Sequence, residues 1–585
     1  MGRGRTILGR RGECGHVFPR GPGAGVSGPR TLRSRLPRRG RVALVRAGGN
    51  GAGRAPRGDP SELEGLLAAG RVPGLRWPDI RDVRADLTRL YRGRGWTPLW
   101  SRDGRPTAAA LALTEELLAA PKQGLAAEDY DAPLLARRVH ELLWGGEAAP
   151  PESLARLDLA LSVNAARFAA ALHRGRVSPS QVHVSFKLPP DSFDVAATVL
   201  ALSETSAPVQ VFQQIEPHFT HYWLLKRALA QFRELAQDST LVPLPPLPRR
   251  LAPGQPYRGA AALRRLLRAL GDLPDTLDSR PDPELDTLYA GDLAGAVARF
   301  QKRHGLPPDS LVGPGTAAQL NRPFPNRIRQ MELTLERWRW MPRTFSAPPI
   351  IVNLPAFRLY AFSTLKDEES QLLSMDVMVG RAYDHDTPVF AAEMTYLVLR
   401  PYWDVPPDIA GREIKPQALA DPGWLERNHY ELVRGETVVP PTPDNIAAIN
   451  AGVRVRQTPG PWNALGAAKF MLPNQHNIYL HDTPARALFS RTRRDFSHGC
   501  IRLADPFGLA WFLLRDQPEW TAERIYAAMN GTEPVTVKLS RPIPVFIMYA
   551  TVMALQSGEI RFYPDIYRHD EKLDRLLRRG YPYPG

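Results

Sequence analysis

The spacing of apolar residues changes once along this chain, and that change limits what it can fold into. Up to about residue 340 they recur at helical spacing, as in "RDVRADLTRLYRGRG" and "LARLDLALSVNAARFAAALHRG". From 349 onward, "PIIVNLPAFRLYAF" (349–362), "SMDVMVG" (374–380) and "MTYLVLRPYW" (394–403) are β-branched, aromatic and punctuated by proline, which is the pattern of strands. "AKFMLP" and "NIYLHD" continue it. Asp505-Pro506 then predicts a helix cap and first turn before "FGLAWFLLRD". At 585 residues the chain is too long for a single core. It reads as a multidomain α+β protein.

The boundaries follow composition. Residues 61–250 read as a helical scaffold that carries no chemistry, interrupted by "RGWTPLW" (94–100) and closed by the proline-rich "LVPLPPLPRR" (241–250). Residues 251–325 form a small module. In it Asp292 is placed to cap a helix whose apolar stripe is Leu293, Val297 and Phe300, and Gly305 ends it. Residues 326–585 form a mostly-β domain, ending in further strand and a short tail. Within it, 404–461 is rich in Pro, Asp and Asn, with a short helical piece near 411–430, and reads as an inserted lid.

A net charge of +16 invites a nucleic-acid reading, but its distribution excludes one. Residues 1–60 hold 14 Arg against 2 acidic residues, whereas the remainder holds 62 basic against 58 acidic. The excess therefore belongs to a Gly/Arg/Pro-rich tail that is expected to be disordered. That tail shows no apolar signal core: its longest uninterrupted apolar run is "VALV" (42–45), and nothing hydrophobic follows the pair Arg10-Arg11. No stretch is apolar enough to span a membrane. Read literally, the sequence predicts a soluble protein without a visible address; the alternative is a misassigned start codon. Cys14 lies in the tail, so a Cys14–Cys500 disulfide is not expected.

The second cysteine stands in "FSHGCIRL", nineteen residues after the histidine of "NIYLHD". A nucleophilic cysteine needs a base, a group orienting the base and donors for an oxyanion. If 485–495 is a loop or short helix between neighbouring strand ends, His481 faces Cys500 and a thiolate–imidazolium pair is expected. Gly499 would let the backbone N–H groups of Gly499 and Cys500 approach an oxyanion. The four arginines of "ARALFSRTRRD" would add potential favourable to anions. A rival reading makes His481, Asp482, His498 and Cys500 zinc ligands, although no C-x-x-C or H-E-x-x-H accompanies them. Another is a non-catalytic binding scaffold with a decayed site.

Two resemblances sharpen this. "AVARFQKRHGLPPDSLVGPGTAAQLN" resembles the three-helix peptidoglycan-binding module of bacterial cell-wall enzymes. "H-x15-S-H-G-C-I-R", with "IVNLPAFRLY", "DTPVF" and "GPWNALGAAKFMLPNQHNIYLHDTP", resembles the L,D-transpeptidases, cysteine enzymes that cross-link peptidoglycan through its diaminopimelate residues. The arrangement after residue 60 is similar to the large multidomain branch of that family.

The resemblance implies Cys500 as nucleophile and His481 as general base. Ser497, His498 and Gly499 would lie on the oxyanion and substrate side. Arg502 would either hold a substrate carboxylate or make a structural ion pair. Asp482 stands where the family usually has Gly, leaving the orienting carbonyl in place, and Asp404 stands where Asn is expected. The implied partners are stem peptides and glycan strands of peptidoglycan, with carbapenem-type β-lactams as covalent inhibitors. No cofactor or metal is called for. The implied location is the periplasm or cell envelope. Water as acceptor would make the same site an L,D-carboxypeptidase.

Overall fold

A computed structural model describes residues 60–145, 149–182, 184–186, 192–274, 287–364, 371–382 and 385–583. The readings for Cys14 and for the tail up to residue 59 lie outside the described residues.

Among them, eight α-helices from Pro60–Ala69 to Thr220–Leu235 build the scaffold. Its central helix, Pro151–Arg174, is buried on nearly every side because its apolar residues run round the whole circumference. The stretch that broke the helical pattern, 94–100, is fastened to this helix. Buried Asp158 accepts the backbone N–H groups of Leu99 (3.0 Å) and Trp100 (2.6 Å) and the Tyr91 hydroxyl (2.6 Å). Gly175 ends the helix at φ +80°, where a Cβ would lie 2.7 Å from Trp340 Nε1. The scaffold thereby docks closely on the helix Phe324–Trp338 and the residues after it.

Among its described residues the small module holds three helices, Ala260–Ala269, Asp292–Arg303 and Pro314–Leu320, around Leu263, Leu267, Val297, Phe300 and Val312. Its motif has a physical explanation. Buried Gln301 Nε2 donates to Asp309 Oδ1, the Leu311 carbonyl and Thr316 Oγ1, while its Oε1 accepts from Ser310 N. One side chain thus fixes the turn between two helices. Asp292 does not cap: Gly291 holds the N-cap position without a side-chain bond, and Asp292 is the first helical residue.

The carboxy-terminal domain is a closed mixed sheet. Its strands are β1 (Val184–Ser185), β2 (Ile350–Asn353), β3 (Arg358–Phe362), β4 (Gln371–Gly380) and β5 (Val389–Leu399), followed in the insertion by β6 (Trp403–Asp404), β7 (Tyr430–Arg434), β8 (Thr437–Val439) and β9 (Arg454–Gln457). The main sheet resumes with β10 (Ala468–Met471), β11 (Leu480–His481), β12 (Asp495–Ser497), β13 (Ile501–Leu503) and β14 (Val535–Met548). The order is β10-β11-β13-β4-β3-β2-β14-β5-β1, with β12 on β4 and β10 also pairing β5 to close the ring. Val352, Leu359, Val377, Leu397, Phe470, Leu480, Ile501 and Ile547 fill it. Asp505 does cap the following helix, Pro506–Leu514, by accepting from Gly508 N.

Two expectations are corrected. The insertion is not an irregular loop: β6-β9-β7-β8 form its own sheet, over a core that includes Ile414, Leu425, Leu432 and Val455. Its strands are short and interrupted by polar turns, which hid them. The tail after the last strand also contains a helix, His569–Leu577, which buries Leu573 and Leu577 and packs Leu576 against the same core.

Candidate active site

Strand register assembles the site. β10 and β11 are antiparallel with Lys469 opposite His481, and β11 and β13 are parallel with His481 opposite Arg502. Lys469, His481 and Arg502 therefore form one cross-strand row. One residue back from β13, Ile501 N donates to the Tyr479 carbonyl (3.1 Å), which places Cys500 beside Tyr479. Because strand side chains alternate with period two, Tyr479 and His481, like Cys500 and Arg502, share a face.

His481 is buried, and its Nδ1 lies 2.5 Å from the Asp482 carbonyl. A carbonyl only accepts, so Nδ1 carries the proton and Nε2 keeps a lone pair. Burial, reinforced by the charges of Arg502 and Lys469, pushes the imidazole pKa down to about 3, against the opposing carbonyl bond. The Cys500 thiol is pushed up by burial, against hydrogen bonds from Tyr479 and the charges of Lys469 and Arg502. Its Sγ lies 3.8 Å from the Asn477 carbonyl. The resting pair is thus neutral thiol and neutral imidazole rather than the expected ion pair, because desolvation outweighs the nearby positive charge. A neutral imidazole is still the form able to take a proton.

The turn before Cys500 is tightly braced. Ser497 Oγ donates to the Cys500 carbonyl (2.5 Å) and accepts from Gly499 N (3.2 Å). The Gly499 N–H is therefore engaged, so it is not the open oxyanion donor that was expected. Gly499 has φ +113°, and a Cβ on Gly380 would lie 3.0 Å from Gly499 Cα. Thr387, in "DTPVF", donates to the Gly499 carbonyl (2.7 Å) and accepts from Gly380 N (2.8 Å). His498 Nε2 meets Glu413 Oε1 of the insertion at 2.9 Å, with the His385 ring centroid 5.0 Å away.

The arginines of the intervening loop do other work than expected. Residues 486–490 form a 3₁₀ turn. Arg486 pairs with Asp482 (2.6 Å), Arg493 with Asp495 (2.7 Å), and buried Arg494 with Asp376 (2.9 Å) and three main-chain carbonyls. Arg491 lies over Phe496. Asp482 also accepts Ala467 N (2.8 Å), so its side chain braces β10 while its carbonyl holds the imidazole. Asp404 is exposed and pairs with Arg454 (3.1 Å).

Arg502 has no carboxylate partner among the described residues, and its buried Nε has no hydrogen-bond partner there. Sequence reasoning missed Lys469, Tyr479, Thr387 and Glu413. Thr387, Tyr479 and Lys469 stood inside quoted motifs, but the role of Lys469 required the strand register, and Glu413 required the insertion's fold. The imidazole, carboxylate and second histidine each have separate partners, and no group of three or more ligating side chains that could hold a metal occurs among the described residues.

Comparison with known proteins agrees with this architecture. The L,D-transpeptidase catalytic domain family matches residues 348–537, the peptidoglycan binding domain family matches 259–320 and a scaffold domain family matches 85–229. A Haemophilus influenzae protein named "Putative L,D-transpeptidase" is 30% identical over 252 residues, which is 43% of this chain and 50% of the relative. The chain thus spans about half the length of that curated relative. A solved Clostridium acetobutylicum chain described as a fused Zn-dependent amidase/peptidase with a peptidoglycan-binding domain is 13% identical. The match covers 52% of this chain and 100% of that one, and its TM-score of 0.15 carries no structural argument. The closed sheet, the site row and the three-helix module agree with these matches: this chain carries an L,D-transpeptidase catalytic domain behind a peptidoglycan-binding domain and a helical scaffold.

Proposed function

We propose that the protein is a peptidoglycan L,D-transpeptidase working through a Cys500 thioester. The observation that carries this is His481, buried, neutral and fixed by the Asp482 carbonyl on the sheet face it shares with Cys500. His481 Nε2 takes the thiol proton. The thiolate attacks the carbonyl of the third stem residue, a diaminopimelate. The terminal D-Ala leaves as an amine that collects the proton from His481, and a thioester remains. The side-chain amine of a second stem then attacks, giving up its proton to His481. Cys500 departs as thiolate and is reprotonated. The product joins two third residues, and water as acceptor gives the L,D-carboxypeptidase outcome instead. The Cys500 N–H and the Tyr479 hydroxyl are the donors for the oxyanion.

A carbapenem-type β-lactam would acylate the same thiol. Such a substrate belongs to the periplasm or cell envelope, and no helix among the described residues is long and apolar enough to cross a membrane. The insertion acts as the lid. Both its ends pair in one ladder, Trp403 with Gln457 and Asp404 with Arg456, beside the strand that carries Lys469, and Glu413 reaches His498. Cys500→Ser should abolish cross-linking of tetrapeptide stems and remove a single carbapenem adduct from the intact mass, with the fold retained. Cross-linking that persists in this variant refutes the thioester route. Replacing 405–455 by Gly-Gly should depress donor turnover while sacculus binding survives; unchanged turnover in a folded variant removes the lid role.

A further inference from the structure

Lys469 and Arg502 flank His481 in one register row, and neither has an ion-pair partner within 4 Å among the described residues. Lys469 Nζ lies 4.2 Å from the Tyr479 ring centroid, so its charge leans on an aromatic face beside the thiol. Asp404, whose field also reaches Lys469, is committed to Arg454. Burial pulls both cations towards the neutral form, and the sulfur is the group opposing this for Arg502. Two cations held in a half-buried pocket without a counter-ion are costly unless a ligand brings the missing charge.

We propose that Lys469 and Arg502 together form a carboxylate site beside the Cys500 thiol, and that Lys469 is the residue selecting acyl donors with a free carboxylate at the leaving residue over amidated ones. This rests on the transpeptidase reading and adds a binding residue to it. Lys469 supplies a point charge and Arg502 a planar fork, a combination suited to one carboxylate gripped from two sides. The site also links recognition to chemistry. The same two charges suppress the basicity of His481, so a bound carboxylate offsets them and restores the base when a correct donor is present.

The test uses the full chain with Cys14→Ser, leaving Cys500 as the sole thiol, and two alkylating probes that differ in charge. In each case the sulfur–carbon bond forms, iodide leaves with its electron pair and the thiol proton is released. Relative to a small free thiol, the ratio of iodoacetate to iodoacetamide rates at Cys500 should be raised about tenfold, the equivalent of ~1.4 kcal/mol of carboxylate recognition. Lys469→Met should return the ratio towards that of the free thiol, and Lys469→Arg should retain most of it. A parallel assay compares a tetrapeptide donor with its C-terminal amide. The wild type should favour the acid chiefly through KM, and Lys469→Met should lose that preference. A wild-type ratio no higher than that of the free thiol overturns the proposal without any variant, as does an unchanged ratio in folded Lys469→Met. A Cys500 that neither probe labels in the folded protein counts against the thiol assignment instead.

Discussion

Two groups of cations belong to the loop and strands that frame Cys500, and they are built in opposite ways. In the loop 485–495, Arg486, Arg493 and Arg494 each pair with a carboxylate. In the strand row, Lys469 and Arg502 have no carboxylate partner within ion-pair distance among the described residues. A basic loop in the sequence looks like the substrate-attracting element, yet three of its four arginines are spent on carboxylates that hold the loop, and the fourth, exposed Arg491, lies over Phe496. The cations left over for a ligand are single residues inside strands. Unpaired charge, more than abundant charge, marks the working surface.

The largest expected effect breaks the chemistry between those groups. His481→Ala should lower turnover by roughly two to four orders of magnitude, the usual size of a lost general base. His498→Ala should cost less, because its ring is held by Glu413 at the lid rather than by the strand that carries the base. If His498→Ala proves the more damaging, the roles are reversed.

Next in size is a direct contrast between the two cation groups. Arg494→Met removes a buried guanidinium from the carbonyls of Val377, Phe357 and Arg491 and leaves Asp376 to Arg358 alone, and should destabilise the domain by about 2 kcal/mol. Arg502→Met leaves no carboxylate orphaned and should hold or raise stability while harming donor use. Denaturant midpoints read the first effect and KM the second. Equal destabilisation by both variants would erase the distinction.

That contrast also shows what was legible beforehand. The change of period, the capping pair Asp505-Pro506 and the nineteen-residue interval from His481 to Cys500 are local signals, and the architecture followed from them. The insertion's sheet did not, because strands of two to five residues broken by proline carry too little alternation to be seen. Among the loop arginines, distance hid only the partner of Arg494, since Asp376 lies more than a hundred positions away; Arg486–Asp482 and Arg493–Asp495 are local pairs that the charge count passed over. Lys469 was invisible for the related reason that only its register with His481 makes it part of the site. The ion pair expected at the thiol failed on burial, which sequence does not report.

The buried imidazole carries a pH signature. His481 titrates at about 3 in the folded chain, against an ordinary value near 6.5, so the unfolded chain binds its proton more readily. Stability is therefore fully present above about pH 7. It is lost as pH falls from ~6.5 towards ~3, at up to ~1.4 kcal/mol per pH unit. Comparing wild type with His481→Gln isolates this one group from the other acids. Between pH 7 and 5 the wild type should lose about 1–2 kcal/mol more than the variant. Parallel losses would mean the imidazole is charged when folded, and the neutral resting pair would fall.

The smallest expected effect concerns Glu413, the lid residue on His498. The pair is partly exposed, with the Glu413 side chain at 55% and the His498 side chain at 34% of full exposure, so it adds at most about 1 kcal/mol. Glu413→Gln keeps the shape and removes the charge. Global stability should not move measurably, since neither residue belongs to a core. What should move is the balance between closed and open lid. A loss of up to 1 kcal/mol from the closed form translates to at most about fivefold in donor turnover. Turnover identical in both proteins would show that Glu413 rests on His498 without holding the lid, leaving closure to the ladder between β6 and β9 alone.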